Sequence, residues 1–138
     1  MVKITLCGSM VFAPEMVELG RELKRRGHQA DLRFFTKQYA KMNSKTKMHH
    51  EATRNKIKYD LIRKYYRKIK RSQAVLIVNI TRNGVRNYIG GNSLIEMAFA
   101  HILRKKIYLL NPMPKMKYTD EIAAMQPLVL KGDLDGIK

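Results

Sequence analysis

Residues 74–78, Ala-Val-Leu-Ile-Val, form the longest unbroken apolar run in the chain. The run is rich in β-branched residues and does not alternate with polar ones. It predicts a strand over 74–80 that is buried on both faces, which is the pattern of a parallel sheet and not of a half-solvated antiparallel one. A strand covered on both sides requires helices on both sides. The chain must therefore alternate strands with helices.

The remaining sequence supplies that alternation. Residues 3–7, Lys-Ile-Thr-Leu-Cys, read as a first strand that ends at Gly8-Ser9. Pro14 opens a helix carrying Met16, Leu19, Gly20 and Leu23, with basic residues 24–26 in its last turn and Gly27 as its stop. A short second strand is expected over 29–34, a polar loop over 36–50, and a helix over 51–71 with Ile57, Leu61, Tyr65 and Ile69 as its inner stripe. After the strand at 74–80 comes a loop over 81–91. A helix to about 105 follows, with Asn92 or Ser93 as its expected cap. A fourth strand over 107–110, a short helix over 120–125 and a last strand over 128–130 complete the order. The expected fold class is a single-domain α/β, flavodoxin-like (Rossmann-like) three-layer sandwich over residues 1–138, with a five-stranded parallel sheet. Ligands of such sheets bind beyond the carboxyl ends of the strands. That rule directs attention to the loops after the first, third and fourth strands.

Composition narrows the partners. The chain has 138 residues, 28 Lys and Arg against 11 Asp and Glu, and a formal net charge of +17. Residues 37–71 hold 13 basic and two acidic side chains, a net of +11. Such a field favours phosphate-bearing partners, from nucleotides to nucleic acid, although a solvated basic helix reads the same way. No apolar run approaches the roughly 20 residues of a membrane helix, and the N-terminus lacks the apolar stretch of a signal peptide. The single cysteine, Cys7, excludes an internal disulfide and a cysteine zinc cluster. A cytoplasmic protein without membrane contact, metal or cofactor is expected.

Two segments carry candidate chemistry. Gly8 lets the backbone approach a ligand, and Ser9 can bond a phosphate or sugar ahead of a helix N-terminus. The segment is neither a dinucleotide fingerprint nor a P-loop, and a plain tight turn reads equally well. In the second segment, Gly90 and Gly91 permit unusual backbone conformations, and Asn92 and Ser93 offer polar groups at a helix start. Glu96 sits in that start among Leu94, Ile95, Met97, Ala98 and Phe99. The helix dipole favours its charged form and apolar neighbours disfavour it, a balance that suits nucleophilic or acid/base work. A capping glutamate is the plainer alternative. Tyr88 is a candidate to stack on a base. Tyr65 reads as core, Cys7 as a buried thiol, His49-His50 as surface residues and His101 as a packing residue.

Residues 4–9 (Ile-Thr-Leu-Cys-Gly-Ser), the strand 74–79 and residues 90–100 (Gly-Gly-Asn-Ser-Leu-Ile-Glu-Met-Ala-Phe-Ala) together resemble the nucleoside 2-deoxyribosyltransferase family and its relatives, the nucleoside 5′-monophosphate N-glycosidases. Residues 103–110 match the family's helix-to-strand ending. The resemblance spans residues 3–111. It implies a flavodoxin-like fold and cleavage of an N-glycosidic bond, with Glu96 in the place of the family's nucleophilic glutamate. The expected substrate-binding residues are Gly8, Ser9, Asn79, Tyr88, Gly90, Gly91, Asn92 and Ser93. Asp60, the only acid on the helix before the third strand apart from Glu51 at its start, takes the place of a nucleoside-holding aspartate. The position near Gly90, where the transferases carry another aspartate, leans toward the glycosidases.

The basic segment and the two helix starts at Ser9 and Ser93 favour a nucleoside 5′-monophosphate over a nucleoside. A homodimer or higher homo-oligomer is expected, both from the resemblance and from the apolar face Phe99, Ile102 and Leu103. The competing functions are deoxyribosyl transfer, non-catalytic nucleotide sensing, and nucleic-acid binding through the basic helix. Against the last, few aromatics beyond Tyr59, Tyr65 and Tyr66 interleave with the cations.

Overall fold

The computed structural model describes residues 1–32, 36, 40, 54 and 56–138. Five parallel strands form one sheet in the order β2-β1-β3-β4-β5, where β1 is Lys3–Cys7, β2 Gln29–Asp31, β3 Ala74–Ile77, β4 Lys106–Leu109 and β5 Leu128–Val129. The helices are α1 (Ala13–Arg25), α2 (Leu61–Arg71), α3 (Gly91–Ile102) and α4 (Thr119–Ala124). This is the flavodoxin-like strand order, with its switch point between β1 and β3.

The continuous apolar run is explained by how its side chains divide. Ala74, Leu76 and Val78 join a core with Ile4, Leu6, Met16 and Leu23 beneath α1, which Leu134 and Ile137 also cover. Val75 and Ile77 join the opposite core with Cys7, Tyr65, Ile69, Met97 and Ala100 beneath α2 and α3. Period-2 alternation is present, but both faces are apolar because both are covered. The one polar side chain buried in β1, Thr5, lies 2.6 Å from the hydroxyl of Ser72. Among the described residues no helix is long and apolar enough to cross a membrane.

Three expectations need correction. The helix expected over 51–71 does not run straight through its described part. Asp60 adopts the left-handed conformation (φ 51°, ψ 50°) and helix α2 begins after it. The break rotates the preceding turn out of register, so Ile57 is 81% exposed while Tyr65 and Ile69 are buried. Gly90, and neither Asn92 nor Ser93, is the cap of α3, and no side chain caps that helix. His101 is exposed at the helix end and packs no core. The loop at 36–50, His49-His50 and most of residues 51–55 lie outside the described residues, apart from the isolated positions 36, 40 and 54.

Beyond the strand ends, a neutral polar lock sets the carboxyl edge. Asn79 is fully buried. Its Nδ2 donates to the carbonyls of Asn111 (2.8 Å) and Pro112 (3.1 Å), and its Oδ1 accepts from the Asn111 backbone N–H at 2.9 Å. Asn111 Nδ2 returns a bond to the Asn79 carbonyl at 3.0 Å. The loops after β3 and β4 are thereby fixed to each other. Asn79→Ala strips three of these bonds and strands buried backbone groups. We expect it to cost about 2–4 kcal/mol of stability, measured by chemical denaturation with the denaturant slope unchanged.

Candidate functional site

The switch point fixes which loops face each other. Gly8 follows β1 so closely against the continuation of β3 that a Cβ there would lie 3.2 Å from both Met16 Sδ and Val78 Cβ. Only a glycine fits without displacing them. Ser9 is extended and caps a short 3-10 turn, Met10–Phe12, that leads into α1; its hydroxyl accepts from the Val11 N–H at 3.4 Å.

The loop after β3 is not featureless. Arg82 and Val85 exchange backbone hydrogen bonds of 3.0 and 2.9 Å around Asn83 (φ 51°) and Gly84 (φ 75°). This is a tight hairpin with positive φ at both central residues, the geometry that an Asn-Gly pair favours. The Thr81 hydroxyl accepts from the Asn87 N–H at 3.2 Å and closes the base of the loop. From this hairpin Arg82 Nη1 donates to Ser9 Oγ at 2.9 Å, and its guanidinium lies 5.7 Å from the Tyr88 ring centroid. Tyr88 in turn packs on Gly90, where a Cβ would lie 3.2 Å from its Cε1. A chain of contacts thus runs from Ser9 through Arg82 and Tyr88 to the start of α3. Arg82 is the residue that sequence reasoning missed. The Asn83-Gly84 pair was a legible signal of its hairpin, whereas its reach to Ser9 was not.

In α3 the first turns hold the other candidates. Gly91 is exposed, Asn92 half-buried, and Ser93 and Glu96 are buried, each 3% exposed. Glu96 and Asn92 line a small cavity between α2 and α3 with Lys56, Leu61, Ile62, Tyr65, Ile95 and Phe99. Its far wall is tied to the end of β1, because the Tyr65 hydroxyl donates to the Leu6 carbonyl. A carboxylate enclosed in that way is screened from bulk water and acts at close range. Beside the hairpin, a larger open crevice of about 750 Å³ runs between residues 84–87 and 111–115, with Arg86 and Lys115 in its walls. It has the capacity for a nucleotide-sized ligand. Glu96 does not line it.

The structure therefore brings Gly8, Ser9, Tyr88 and Gly90 together at the carboxyl edge, with Gly91, Asn92, Ser93 and Glu96 on the adjoining helix. Two candidates stand apart. Asn79 spends its side chain on Asn111 and Pro112. Asp60 precedes α2 and pairs with Arg63 at 3.2 Å, its side chain half-exposed.

No protein-family model matches the chain, and no curated protein matches it. Among solved structures the chain is similar to the CMP N-glycosidase BcmB of Clostridium botulinum, with a TM-score of 0.50 and 16% identity, over 92% of this chain and 84% of that one. At that identity the likeness is one of fold, and it agrees with the flavodoxin-like sheet.

Tyr118 tethers this edge from the other side. Its hydroxyl donates to the carbonyl of Ile89. Burial, with a smaller contribution from Tyr88, raises its phenol above the ordinary value of 10.0. The neutral phenol is the donating form. Its contribution is therefore complete below pH 10 and is lost as pH rises through the raised folded value. Tyr118→Phe removes the bond and is expected to cost about 1 kcal/mol at neutral pH. Unfolding curves of the two proteins should converge as pH rises above 10.

Proposed function

We propose that this protein is an N-glycosidase of nucleoside 5′-monophosphates. The observation that carries the reading is Glu96, a carboxylate buried in the second turn of a helix that starts at the carboxyl edge of a doubly wound sheet. The sequence resemblance and the fold of the CMP N-glycosidase support it.

The chemistry follows from the position. Loss of the base leaves positive charge on the sugar ring, and the carboxylate stabilises that charge or forms an ester at the anomeric carbon. The N-glycosidic electron pair leaves with the base, which takes a proton from solvent. Water then cleaves the glycosyl ester, releasing the sugar 5-phosphate and regenerating Glu96. If a second base replaces that water, the same site performs transfer. The substrate is placed by Ser9 and the backbone at Gly8, with Tyr88 against the ring system. Asn92 and Ser93 line the helix start beside the nucleophile. The glycines supply close approach rather than chemistry.

A non-catalytic alternative rests on helix α2, whose exposed cations Arg63, Arg67, Lys70 and Arg71 suit a nucleic-acid backbone. A panel of nucleosides and nucleotides assayed for released base separates the two readings. Glu96→Gln keeps the shape of the side chain and removes its charge. We expect base release to fall by about three orders of magnitude or more in a protein with a normal melting curve. Release at the wild-type rate would remove Glu96 from the mechanism.

The active species is proposed to be a homodimer. Ile62, Ile95 and Ile102 are 47%, 42% and 78% exposed along the outer face of α2 and α3, whereas Phe99 meets Tyr66 edge to face with ring centroids 5.1 Å apart. Sedimentation at micromolar concentration should give twice the chain mass of 16.1 kDa, and Ile102→Glu should shift it to monomer. A wild-type monomer under those conditions contradicts the proposal.

A further inference from the structure

We propose that Arg82 reads the 5′-phosphate of the substrate, which makes the hairpin at Asn83-Gly84 a specificity element of the site. The inference rests on the nucleotide reading above and deepens it.

Arg21, Arg25, Arg26 and Arg63 each pair with a carboxylate, on Glu18, Glu22, Asp135 and Asp60 respectively or in combination. Arg82 is held differently, by the Ser9 hydroxyl and the face of Tyr88. Among the described residues no carboxylate pairs with it. A half-buried guanidinium against neutral groups carries a desolvation cost that a bound anion would offset.

Ser9 Oγ takes one of five N–H donors and so leaves most of the planar fork for a bidentate acceptor. Phosphate oxygens match that fork. The tetrahedral anion would lie beside Ser9, at the turn that leads into α1.

The hairpin is already fixed by its own backbone bonds, by Thr81 on Asn87 and by Tyr118 on Ile89. It does not depend on the Arg82 side chain for its shape. A side chain carried by a hairpin that other bonds fix, and held by two neutral contacts, is set for a ligand.

The test uses ribose 5-phosphate and CMP as probes, with cytidine as the phosphate-free comparison, titrated calorimetrically into wild type, Arg82→Gln and Arg82→Lys. Circular dichroism melts verify folding. Arg82→Gln should weaken ribose 5-phosphate at least about tenfold and reduce the preference for CMP over cytidine by a similar factor. Arg82→Lys, which keeps the charge without the fork, should fall between. The difference between wild type and Arg82→Gln should narrow at high salt. Unchanged ribose 5-phosphate affinity in folded Arg82→Gln overturns the inference, as does a wild type with no affinity for that probe. Base release is a separate readout. A protein that binds ribose 5-phosphate through Arg82 but releases no base would retain the phosphate site and lose the glycosidase reading. Base release without an Arg82 effect on binding would do the reverse.

Discussion

Strand β3 exists only if both of its faces and both of its edges are covered. Ala74, Val75, Leu76 and Ile77 have no exposed surface, and the strand pairs with β1 on one side and β4 on the other. Removing its three large side chains from water contributes about 1.5–3 kcal/mol each. That gain is available only with α1 on one side and α2 and α3 on the other. Once those layers are in place, the loops after β1, β3 and β4 must emerge side by side at one edge. The site is where the covering of β3 ends.

What happens at that edge depends on a division between neutral and charged groups. The interior positions are fixed by neutral bonds: Thr5 with Ser72, Asn79 with Asn111, and the hydroxyls of Tyr65 and Tyr118 with backbone carbonyls. Such bonds lose little when buried if every partner is satisfied. Of the charged groups, Arg86 and Lys115 line the open crevice, and Arg82 is held on Ser9 and Tyr88. These neutral bonds hold the loops of the edge in place.

The sheet was legible because its signal is local and redundant. Five apolar residues in a row at β3, another buried run at β4 and glycines at the turns all point to the same layers. The break at Asp60 was hidden because the four-residue spacing from Ile57 to Ile69 continues across it. A periodic pattern does not register one residue turning left-handed. The cap of α3 was misplaced by two or three residues because side-chain caps are the usual signal, whereas no side chain caps the helix at Gly90. The burial of Glu96 could be read from the apolar residues around it. The Arg82 contact could not, since it joins residues 73 positions apart and nothing near Ser9 announces a partner. Long-range polar contacts are set by the completed topology rather than by any window of sequence.

The proposed reaction imposes one electrostatic demand that unites these features. It requires a phosphate dianion and the Glu96 carboxylate at the same edge of a small sheet. Two unit negative charges repel by about 4 kcal/mol at about 4 Å and an effective dielectric of about 20, and by less at longer range. A carboxylate neutralised by a direct arginine partner would escape that repulsion but would be a poorer nucleophile. Arg82, anchored on Ser9 and Tyr88, would set its charge beside that phosphate. The chain's net charge of +17 acts more diffusely in the same sense, because a positive field lowers the cost of gathering both anions without pairing with either. On this reading the hydroxyl of Ser9 serves two purposes. It caps the turn into α1, and it keeps a cation on the phosphate side of the site.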